Sequence, residues 1–430
     1  MSNYSMNATD TKMSQLFYVD DRFKNKIAYY HLLAFLISLP FDRFYSTIIL
    51  LGFIVHSLLY VRKDELKGIG SKTFILQSVF FVTAISATYS DSNNGWDILT
   101  RQLAIFLFPL LFSIISLDFY KYRYKLLLAF SMCCTLVVAY LFFDAVHVII
   151  HNKLPFKTLA SAAFLNHHFS EPLNLHATYL SLYVLISLVF LLQLLFSELN
   201  KWHRIIFIIS VVILLAGLLQ LGSRAVCIAF LVVINIAPFF MLKGKKRLFF
   251  FLTAFLITFS GIALIASFDF LKERFIIDLK NDFEQHSNIL KNDTRLQRWE
   301  ASYNLILNAP IIGHGSGTET PLLKEIYFKR KMYSSYLNAM NVHNQYLSFL
   351  INSGVLGLLI YSLTLLWGFW QSFKKKDLLF FCFLSVIAIV SFSENLLVVN
   401  KGIFFYGFFF SFFIFSGKKN LPNNAASPDF

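Results

Sequence analysis

Long apolar runs dominate the chain and leave few architectures open to it. Of its 430 residues, 57% are hydrophobic and only 14% are charged. A helix needs about 20 mainly apolar residues to cross a hydrocarbon core of roughly 30 Å, and only helices or closed barrels satisfy their backbone groups there. The runs are continuous rather than alternating, which is typical of helices. We therefore predict an all-α integral membrane protein.

The apolar runs predict about twelve membrane spans. Inside 202–242, a glycine and a charge (Gly222-Ser223-Arg224) interrupt the run, which favours a tight hairpin over one very long helix. The predicted spans are 27–43, 45–61, 73–90, 102–118, 124–150, 176–196, 202–222, 224–242, 247–268, 343–373, 377–394 and 402–417. This division leaves tails at 1–26 and 418–430 and one large loop at 269–342.

The basic residues predict how the spans are oriented. If both tails are cytoplasmic, the short inner loops contain sixteen Lys and Arg residues and the short outer loops contain six. Inner loops carry such an excess in most membrane proteins. We therefore predict cytoplasmic tails and an outer 269–342 loop. The net charge of +14 mainly reflects this orientation, and the dispersed basic residues do not indicate a nucleic-acid partner.

Several familiar chemistries have no motif in the sequence. All four cysteines fall within apolar runs, where a free thiol behaves as a small hydrophobe, so we expect neither a disulfide framework nor a metal site. Asp-x-Asp, His-Glu-x-x-His and the phosphate-binding glycine loop do not occur. A soluble nucleotide-linked donor is therefore disfavoured. We expect any activated donor to arrive through the membrane.

The 269–342 interval is the long polar stretch of the chain, and its cations lie at fixed offsets. It contains the segments NDTRLQRWEASYNLI and APIIGHGSGT. Arg295 and Arg298 are three residues apart, so on a helix they share a face with Trp299. Guanidinium groups fork onto phosphate oxygens, which makes the pair a candidate diphosphate clamp. The alternative is a surface helix on which Glu300 is the local partner.

A turn rich in glycine follows this predicted helix. Gly313 and Gly315 lie in it, shortly after Pro310. Glycines allow backbone N–H groups to approach an anion closely. We therefore consider this turn a candidate part of the same anion site.

Ionisable side chains also lie at the outer ends of predicted spans: His176, Arg224, His343 and Glu394. Such groups can simply cap and anchor helices. Arg224, however, is costly at a hairpin tip unless it faces a wet cavity or an anion. His343 is expected in the first turn of a helix, where the macrodipole favours a neutral imidazole. A neutral imidazole is what a general base requires, although a lone interfacial His is often only an anchor.

Motifs in a fixed order cover 290–360. Arg295 precedes Trp299 by four residues, Asn308-Ala309-Pro310-x-x-Gly313-x-Gly315 follows, and His343-Asn344-x-Tyr346-Leu347 leads into Gly354-x-Leu356-Gly357. In order and spacing these motifs resemble the O-antigen ligase and O-antigen polymerase superfamily of bacterial envelope enzymes. The Ser-Arg pair at 223–224, the segment HATYLS from 176 and the outer Glu394 fit the same resemblance.

The resemblance implies a C-type glycosyltransferase fold, with about twelve membrane helices capped by a periplasmic loop, in the bacterial inner membrane. It implies transfer of a glycan from a polyprenyl diphosphate carrier to a lipid or glycan acceptor, with no cofactor and no metal. Arg224 and Arg295 would bind the diphosphate, and His343 would activate the acceptor hydroxyl. Since no paired carboxylates suit a double displacement, we expect inversion at the anomeric carbon.

Further residues are expected to contact the substrate. Two positions depart from the family pattern: Arg298 falls where the family is usually apolar, so it is either a second phosphate contact or a neutral variation, and Asn352 replaces a frequently acidic residue. The expected substrate-binding residues are Arg298, Trp299, Gly313, Gly315, Asn344, His176 and Glu394.

Several functions remain open from the sequence. Within the superfamily, the enzyme could join glycan to lipid A core, polymerise repeat units, or glycosylate protein. A secondary transporter with a regulatory outer loop is the alternative from another class. Against transport, the sequence shows no repeated halves and no paired ionisable residues deep within a span.

Overall fold

The computed structural model describes residues 18–417 except 93, 198, 243, 268 and 284–292, and the described part contains helices and no strand. The predicted tail at 418–430 and most of that at 1–26 lie outside the described residues. The helices are Phe23–Ser38, Arg43–Tyr60, Lys63–Leu66, Ser71–Thr88, Asn94–Ile114, Phe119–His151, Phe156–Ala160, Ala162–Phe164, His167–Ser170, Glu171–Leu173, Ala177–Leu195, Lys201–Leu221, Arg224–Met241, Gly244–Ser267, Asp269–Lys272, Glu273–Ile277, Asp278–Phe283, Arg295–Asn308, Glu319–Lys329, Tyr333–Leu337, Gln345–Lys375, Leu378–Val390 and Asn400–Phe415.

Each predicted span overlaps one helix, but the ends differ, most of all for the predicted span 102–118, whose helix is Asn94–Ile114. Seven helices of the described part are long and apolar enough to cross a membrane, and two further apolar helices, Leu378–Val390 and Asn400–Phe415, are shorter. The prediction of an all-helical, multi-pass architecture agrees with this arrangement. The count of twelve spans and the outer position of the 269–342 loop remain predictions.

The centre of the bundle is the phenylalanine-rich helix Asn400–Phe415. It is apolar around its whole circumference, which is the pattern of a helix enclosed by others, and nearly all its residues are buried. It packs against Asn94–Ile114, where the ring of Phe408 lies 5.4 Å from that of Phe108. Aromatic pairs at this separation add to the free energy of simple burial. This helix therefore fixes the positions of its neighbours.

A buried ion pair ties two helices together at the end predicted to be cytoplasmic. Arg123 Nη1 and Nη2 donate to the two carboxylate oxygens of Asp377 at 2.6 and 2.8 Å, and the guanidinium lies over the ring of Phe413. Asp377 also caps the Leu378–Val390 helix through the N–H of Phe380. Breaking such a pair leaves a buried charge uncompensated and typically costs about 3–5 kcal/mol.

The predicted hairpin inside 202–242 is present. The Lys201–Leu221 helix ends at Gly222, which has φ +55° and donates its N–H to the carbonyls of Leu218 and Leu219. Glycine reaches this left-handed conformation without steric cost and is the usual residue at such a helix end. The next helix, Arg224–Met241, begins two residues later. The hairpin thus places Arg224 at its tip.

The polar loop folds onto the end of the bundle and has a small core of its own. Thr294 and Gln297 form a reciprocal capping box that starts the Arg295–Asn308 helix. The apolar residues of this helix and the next pack against the long helix Gln345–Lys375. The buried members of the core are Ala301, Leu305, Leu323, Tyr327, Met332, Val342 and Ile351.

The Gln345–Lys375 helix is broken at Gly354, which has φ +62° and ψ −163°. This conformation is essentially restricted to glycine. The loop occupies the break, since Val355 N–H donates to Pro310 O at 2.8 Å and His314 N–H donates to Ile351 O at 2.8 Å. The break therefore locks the loop to the bundle, close to the residues that the sequence singled out.

Candidate functional site

Arg224 lies at the hairpin tip and points towards the polar loop. Its guanidinium forms an ion pair with Asp282, which the short helix Asp278–Phe283 carries, and its side chain is 14% exposed. The Nη1 atom of Arg224 is buried without a hydrogen-bond partner. A buried donor without an acceptor is costly, so this guanidinium has capacity for a further anionic oxygen.

Arg295 approaches the same carboxylate from the other side. It is the first residue of the Arg295–Asn308 helix, and its Nε lies 3.8 Å from Asp282 Oδ2. Its Nη2 lies 3.9 Å from Glu394 Oε1. These distances are ionic contacts rather than hydrogen bonds. Two arginines from separate elements therefore converge on one carboxylate.

A third guanidinium, that of Arg274, lies beside the pair. Its Nε donates to Gly222 O at 3.1 Å and its Nη1 donates to Asp278 at 3.2 Å. Burial and the nearby charge of Arg224 lower the pKa of Arg274. The charge of Arg274 thus adds to the positive potential at the hairpin tip.

His343 contacts Glu394, which follows the Leu378–Val390 helix. The distance from His343 Nδ1 to Glu394 Oε2 is 3.4 Å. A carboxylate on Nδ1 orients the ring and leaves Nε2 for another partner. Burial favours a raised pKa for Glu394, but its hydrogen bond with His343 and the charges of His343, His176 and Arg295 outweigh burial, so its pKa is lowered. Glu394 is therefore a carboxylate shared by His343 and Arg295.

The predicted position of His343 within a helix is wrong. The helix begins at Gln345, and His343 precedes the capping residue with φ +49°, a left-handed conformation that is uncommon for residues other than glycine. Its backbone N–H donates to Asn341 Oδ1 at 2.9 Å. The imidazole is therefore oriented by Glu394 rather than by the first turn of a helix.

His176 is the N-cap of the Ala177–Leu195 helix, with Nδ1 accepting the N–H of Thr178 at 3.3 Å. Its ring packs edge-on against that of His167, with the ring centres 4.0 Å apart. Burial of the imidazole lowers the pKa of His176 to about 4. The ring is therefore neutral near neutral pH, which its role as a hydrogen-bond acceptor requires.

Asn344 does not present its side chain to the site. It is 5% exposed, and its Oδ1 accepts the N–H groups of Tyr346 and Leu347 at 3.0 and 3.1 Å. This is the geometry of a helix N-cap. The predicted substrate contact is therefore replaced by a capping role.

Trp299 and Arg298 turn into the loop rather than towards Arg224. Trp299 Nε1 donates to Val342 O at 3.1 Å, so the indole supports the backbone next to His343. Arg298 is 8% exposed, donates to Asp293 O at 3.0 Å, and lies in the loop core. The predicted clamp of Arg295 with Arg298 is therefore not formed, since Arg224 is the residue that shares Asp282 with Arg295.

The glycine turn packs against backbone rather than offering N–H groups to an anion. The N–H groups of Gly313 and Gly315 donate to Ala309 O and Asn352 O at 3.1 and 2.9 Å. A Cβ on Gly313 would lie 2.5 Å from Ser353 N, and one on Gly315 would lie 2.5 Å from Ser90 Cα. The close approach of two backbone segments therefore explains why these positions are glycines, and the predicted anion-binding role is not supported.

The comparisons with known proteins add a family. Residues 209–362 match the family model described as O-antigen ligase. This part of the chain is similar to O-antigen ligase domains. The resemblance inferred from the motifs is thereby confirmed, and the matched range contains Arg224, Arg295 and His343.

An uncharacterized protein of Haemophilus influenzae is similar to part of this chain. The two are 30% identical over 200 residues, which cover 43% of this chain and 50% of the relative. The chain thus spans about half the length of that curated relative.

Sequence reasoning missed Asp282, Arg274 and Glu319, a buried carboxylate beside the His343 segment. Each lies in the acid-rich and base-rich polar loop, where spacing alone does not distinguish a site residue from a solvated one. No group of three or more His, Cys, Asp or Glu side chains that could hold a metal ion occurs among the described residues. The side chains brought together at this site are those of arginine, histidine and acidic residues.

Proposed function

We propose that the protein transfers a glycan from a polyprenyl diphosphate carrier to an acceptor hydroxyl at the periplasmic face of the inner membrane, in the manner of an O-antigen ligase. One observation supports this most directly. Glu394 contacts both Arg295, at 3.9 Å, and His343, at 3.4 Å. A candidate phosphate ligand and a candidate general base are thus held side by side, as a transfer reaction requires.

The reaction would proceed by a single displacement. His343 Nε2 accepts the proton of the acceptor hydroxyl, and Glu394 stabilises the imidazolium that forms. The acceptor oxygen bonds to the anomeric carbon as the bond from that carbon to the diphosphate oxygen breaks, which inverts the configuration. The electron pair of the broken bond leaves with the diphosphate.

Arg224 and Arg295 would stabilise the leaving diphosphate. Fixed guanidinium groups aimed at developing negative charge lower the barrier without reorganising during the reaction. The unpartnered Nη1 of Arg224 supports this role. Because the arginines supply the positive charge, we propose a metal-independent reaction. Asp282 occupies the position between them, so the diphosphate would displace its carboxylate.

The test uses purified protein and a defined polyprenyl diphosphate oligosaccharide. His343→Ala should bind this donor with unchanged affinity, because Arg224 and Arg295 remain, but transfer should fall by roughly 10²- to 10⁴-fold. Donor affinity and single-turnover transfer are measured on the same preparation. Lipid A core and a free glycan repeat are supplied as alternative acceptors, which distinguishes the ligase reaction from the polymerase reaction.

His168→Ala is the matched control. His168 also faces a carboxylate, since its Nδ1 lies 3.7 Å from Glu171 Oε2, but its side chain is 67% exposed. It does not belong to the Arg224 cluster, which comprises Arg224, Arg274, Asp282, Arg295, His343 and Glu394. This variant should transfer glycan at the wild-type rate. Wild-type transfer by His343→Ala would remove His343 from the reaction. Absence of transfer by the wild-type protein with either acceptor would refute the proposed function.

A further inference from the structure

We propose that Glu319 is a positioning residue for this transfer, whose buried carboxylate fixes the His343 and Glu394 segments relative to each other. The inference rests on the proposed function and extends it to a residue outside the reacting groups. Glu319 begins the Glu319–Lys329 helix of the polar loop and is 5% exposed. A buried carboxylate is costly unless hydrogen bonds satisfy it, so its partners indicate its role.

One oxygen of Glu319 joins the two segments of the candidate site. Oε1 accepts the backbone N–H of Val342 at 3.0 Å and the side-chain amide of Asn395 at 2.9 Å. Val342 directly precedes His343, and Asn395 directly follows Glu394. A single oxygen atom therefore binds the sequence neighbours of both His343 and Glu394.

The other oxygen fixes the carboxylate to the bundle. Oε2 accepts the hydroxyl of Ser348 and the Nδ2 of Asn352, the latter at 3.2 Å. Both residues lie in the first turns of the Gln345–Lys375 helix. Four donors thus surround a group that can only accept. This arrangement matches an ionised carboxylate, and a neutral amide cannot accept all four hydrogen bonds.

The hydrogen bonds next to those of Glu319 explain why the position of its carboxylate matters for His343. Asn395 also accepts the N–H of Asn344 at 2.8 Å, and Asn341 accepts that of His343 at 2.9 Å. Consecutive N–H groups on both sides of His343 are therefore anchored by side chains. His343 has φ +49°, and such a conformation persists only where the surroundings impose it. Glu319 contributes to these surroundings through its hydrogen bonds with Val342 and Asn395.

The pocket beside Glu319 determines which substitution of this residue is the better test. A polar cavity of about 60 Å³ adjoins Glu319, and Asn341, Gln345 and Asn395 also line it. Water can enter a polar cavity of this size and replace a truncated side chain. Glu319→Gln is therefore preferable to a truncation, because it keeps the shape of the side chain and replaces one of its two acceptor oxygens by an N–H₂ donor, which faces donors in either orientation.

The experiment compares Glu319→Gln with wild type in the same donor-binding and transfer assays. Donor affinity should stay within about twofold, while the transfer rate should fall by roughly 10- to 100-fold, since small misplacements of a reacting group have effects of this size. Glu325→Gln, on an exposed position of the same helix, is the matched control and should behave as wild type.

A second substitution tests the mechanism of the loss. In Glu319→Gln with Asn352→Asp, the carboxylate and the amide exchange places across the 3.2 Å contact, so this one contact again joins a donor to an acceptor. The exchange removes the hydrogen bond that Asn352 Nδ2 donates to Ser348 O at 2.8 Å, so the transfer rate should recover only part of its loss in this double variant. Asn352→Asp alone should lose activity, because it places two carboxylates against each other. Such recovery is the signature of a coupled pair.

Each outcome decides a different point. Wild-type transfer by Glu319→Gln, or no recovery in the double variant, would overturn the inference and leave the proposed function standing. Donor affinity lost in parallel with transfer would also overturn it, because that result indicates a general structural defect. If the wild-type protein itself does not transfer glycan while it binds the donor, the proposed function fails, and the inference fails with it.

Discussion

At the scale of single residues, Asp282 holds the two arginines that face the candidate donor site. It pairs with Arg224 and lies 3.8 Å from Arg295. In the proposed mechanism, a diphosphate that binds both arginines displaces this carboxylate from Arg224 Nη2 and from Arg295, while the unpartnered Nη1 of Arg224 is open to a phosphate oxygen. The proposed affinity for donor therefore includes a competition between two anions, one of which belongs to the protein.

Asp282→Asn should tighten donor binding. The side chain of Asp282 is 28% exposed, and partly exposed ion pairs contribute about 0.2–1 kcal/mol, so the dissociation constant should fall by up to about fivefold. The measurement is equilibrium binding of the polyprenyl diphosphate donor. Asp278→Asn, which affects the pair with Arg274 instead, is the control and should change affinity less. Weaker binding by Asp282→Asn would show that Asp282 orients the arginines rather than competing for them.

Single residues could be predicted where their chemistry was unusual for their place. A charge at a hairpin tip or a histidine at a span end is rare enough to notice, and the structure brings Arg224, Arg295, His343 and Glu394 together. Glu319 could not be selected, because many acidic residues occur in the same loop and its burial depends on tertiary packing. One signal in the sequence pointed towards Glu319. Asn352, its hydrogen-bond partner, is an amide at a position where the resemblance leads one to expect an acidic residue.

At the scale of elements, the break at Gly354 joins the loop to the bundle. A Cβ at this position would lie 2.3 Å from the carbonyl group of Ile311, and its φ and ψ are disfavoured for any other residue. The close contact between loop and helix therefore depends on the absence of a side chain at Gly354.

Gly354→Ala should destabilise the fold around the site. The disfavoured backbone conformation alone costs about 1–3 kcal/mol, and the clash with Ile311 adds to it. We expect a lower unfolding temperature in detergent and reduced transfer. Gly70→Ala is the control, because a Cβ there meets nothing within 4 Å and the backbone φ is −148°. Unchanged stability of Gly354→Ala would show that the loop detaches from the helix without cost.

Helices were easier to predict than the contacts between them. Apolar length locates the long helices, and the glycine and charge at 222–224 locate the hairpin, since both signals are local. The end of a helix is harder to locate from the sequence, which places His343 in a turn that begins two residues later in the structure. The sequence predicts an anion site at the glycines at 313 and 315, because it does not show which carbonyls accept their N–H groups.

At the scale of the whole molecule, the distribution of basic residues predicts the orientation in the membrane. Lys324 lies on an exposed position of the polar loop, and Lys374 lies on an exposed position near the end of the Gln345–Lys375 helix. If the orientation is correct, these two lysines face opposite sides of the membrane. The proposed periplasmic site depends on this arrangement.

Cysteine labelling tests the orientation. In a background without the four native cysteines, an impermeant maleimide added to intact cells with a permeable outer membrane should label Lys324→Cys and should not label Lys374→Cys. Labelling of both after the inner membrane is disrupted is the control for accessibility. The reverse pattern would place the Arg224 cluster on the cytoplasmic side, where the proposed donor orientation fails.

The four hydrogen bonds of Glu319 have a consequence for how such enzymes can be recombined. One of them stays within the polar loop, at Val342, and the other three run from the loop to the long helix and to the segment after Glu394, so the loop is not an exchangeable module. A chimera that takes its loop from another protein must take positions 348, 352 and 395 with it. Recombination points at the apparent loop boundaries would separate partners that have to be inherited together.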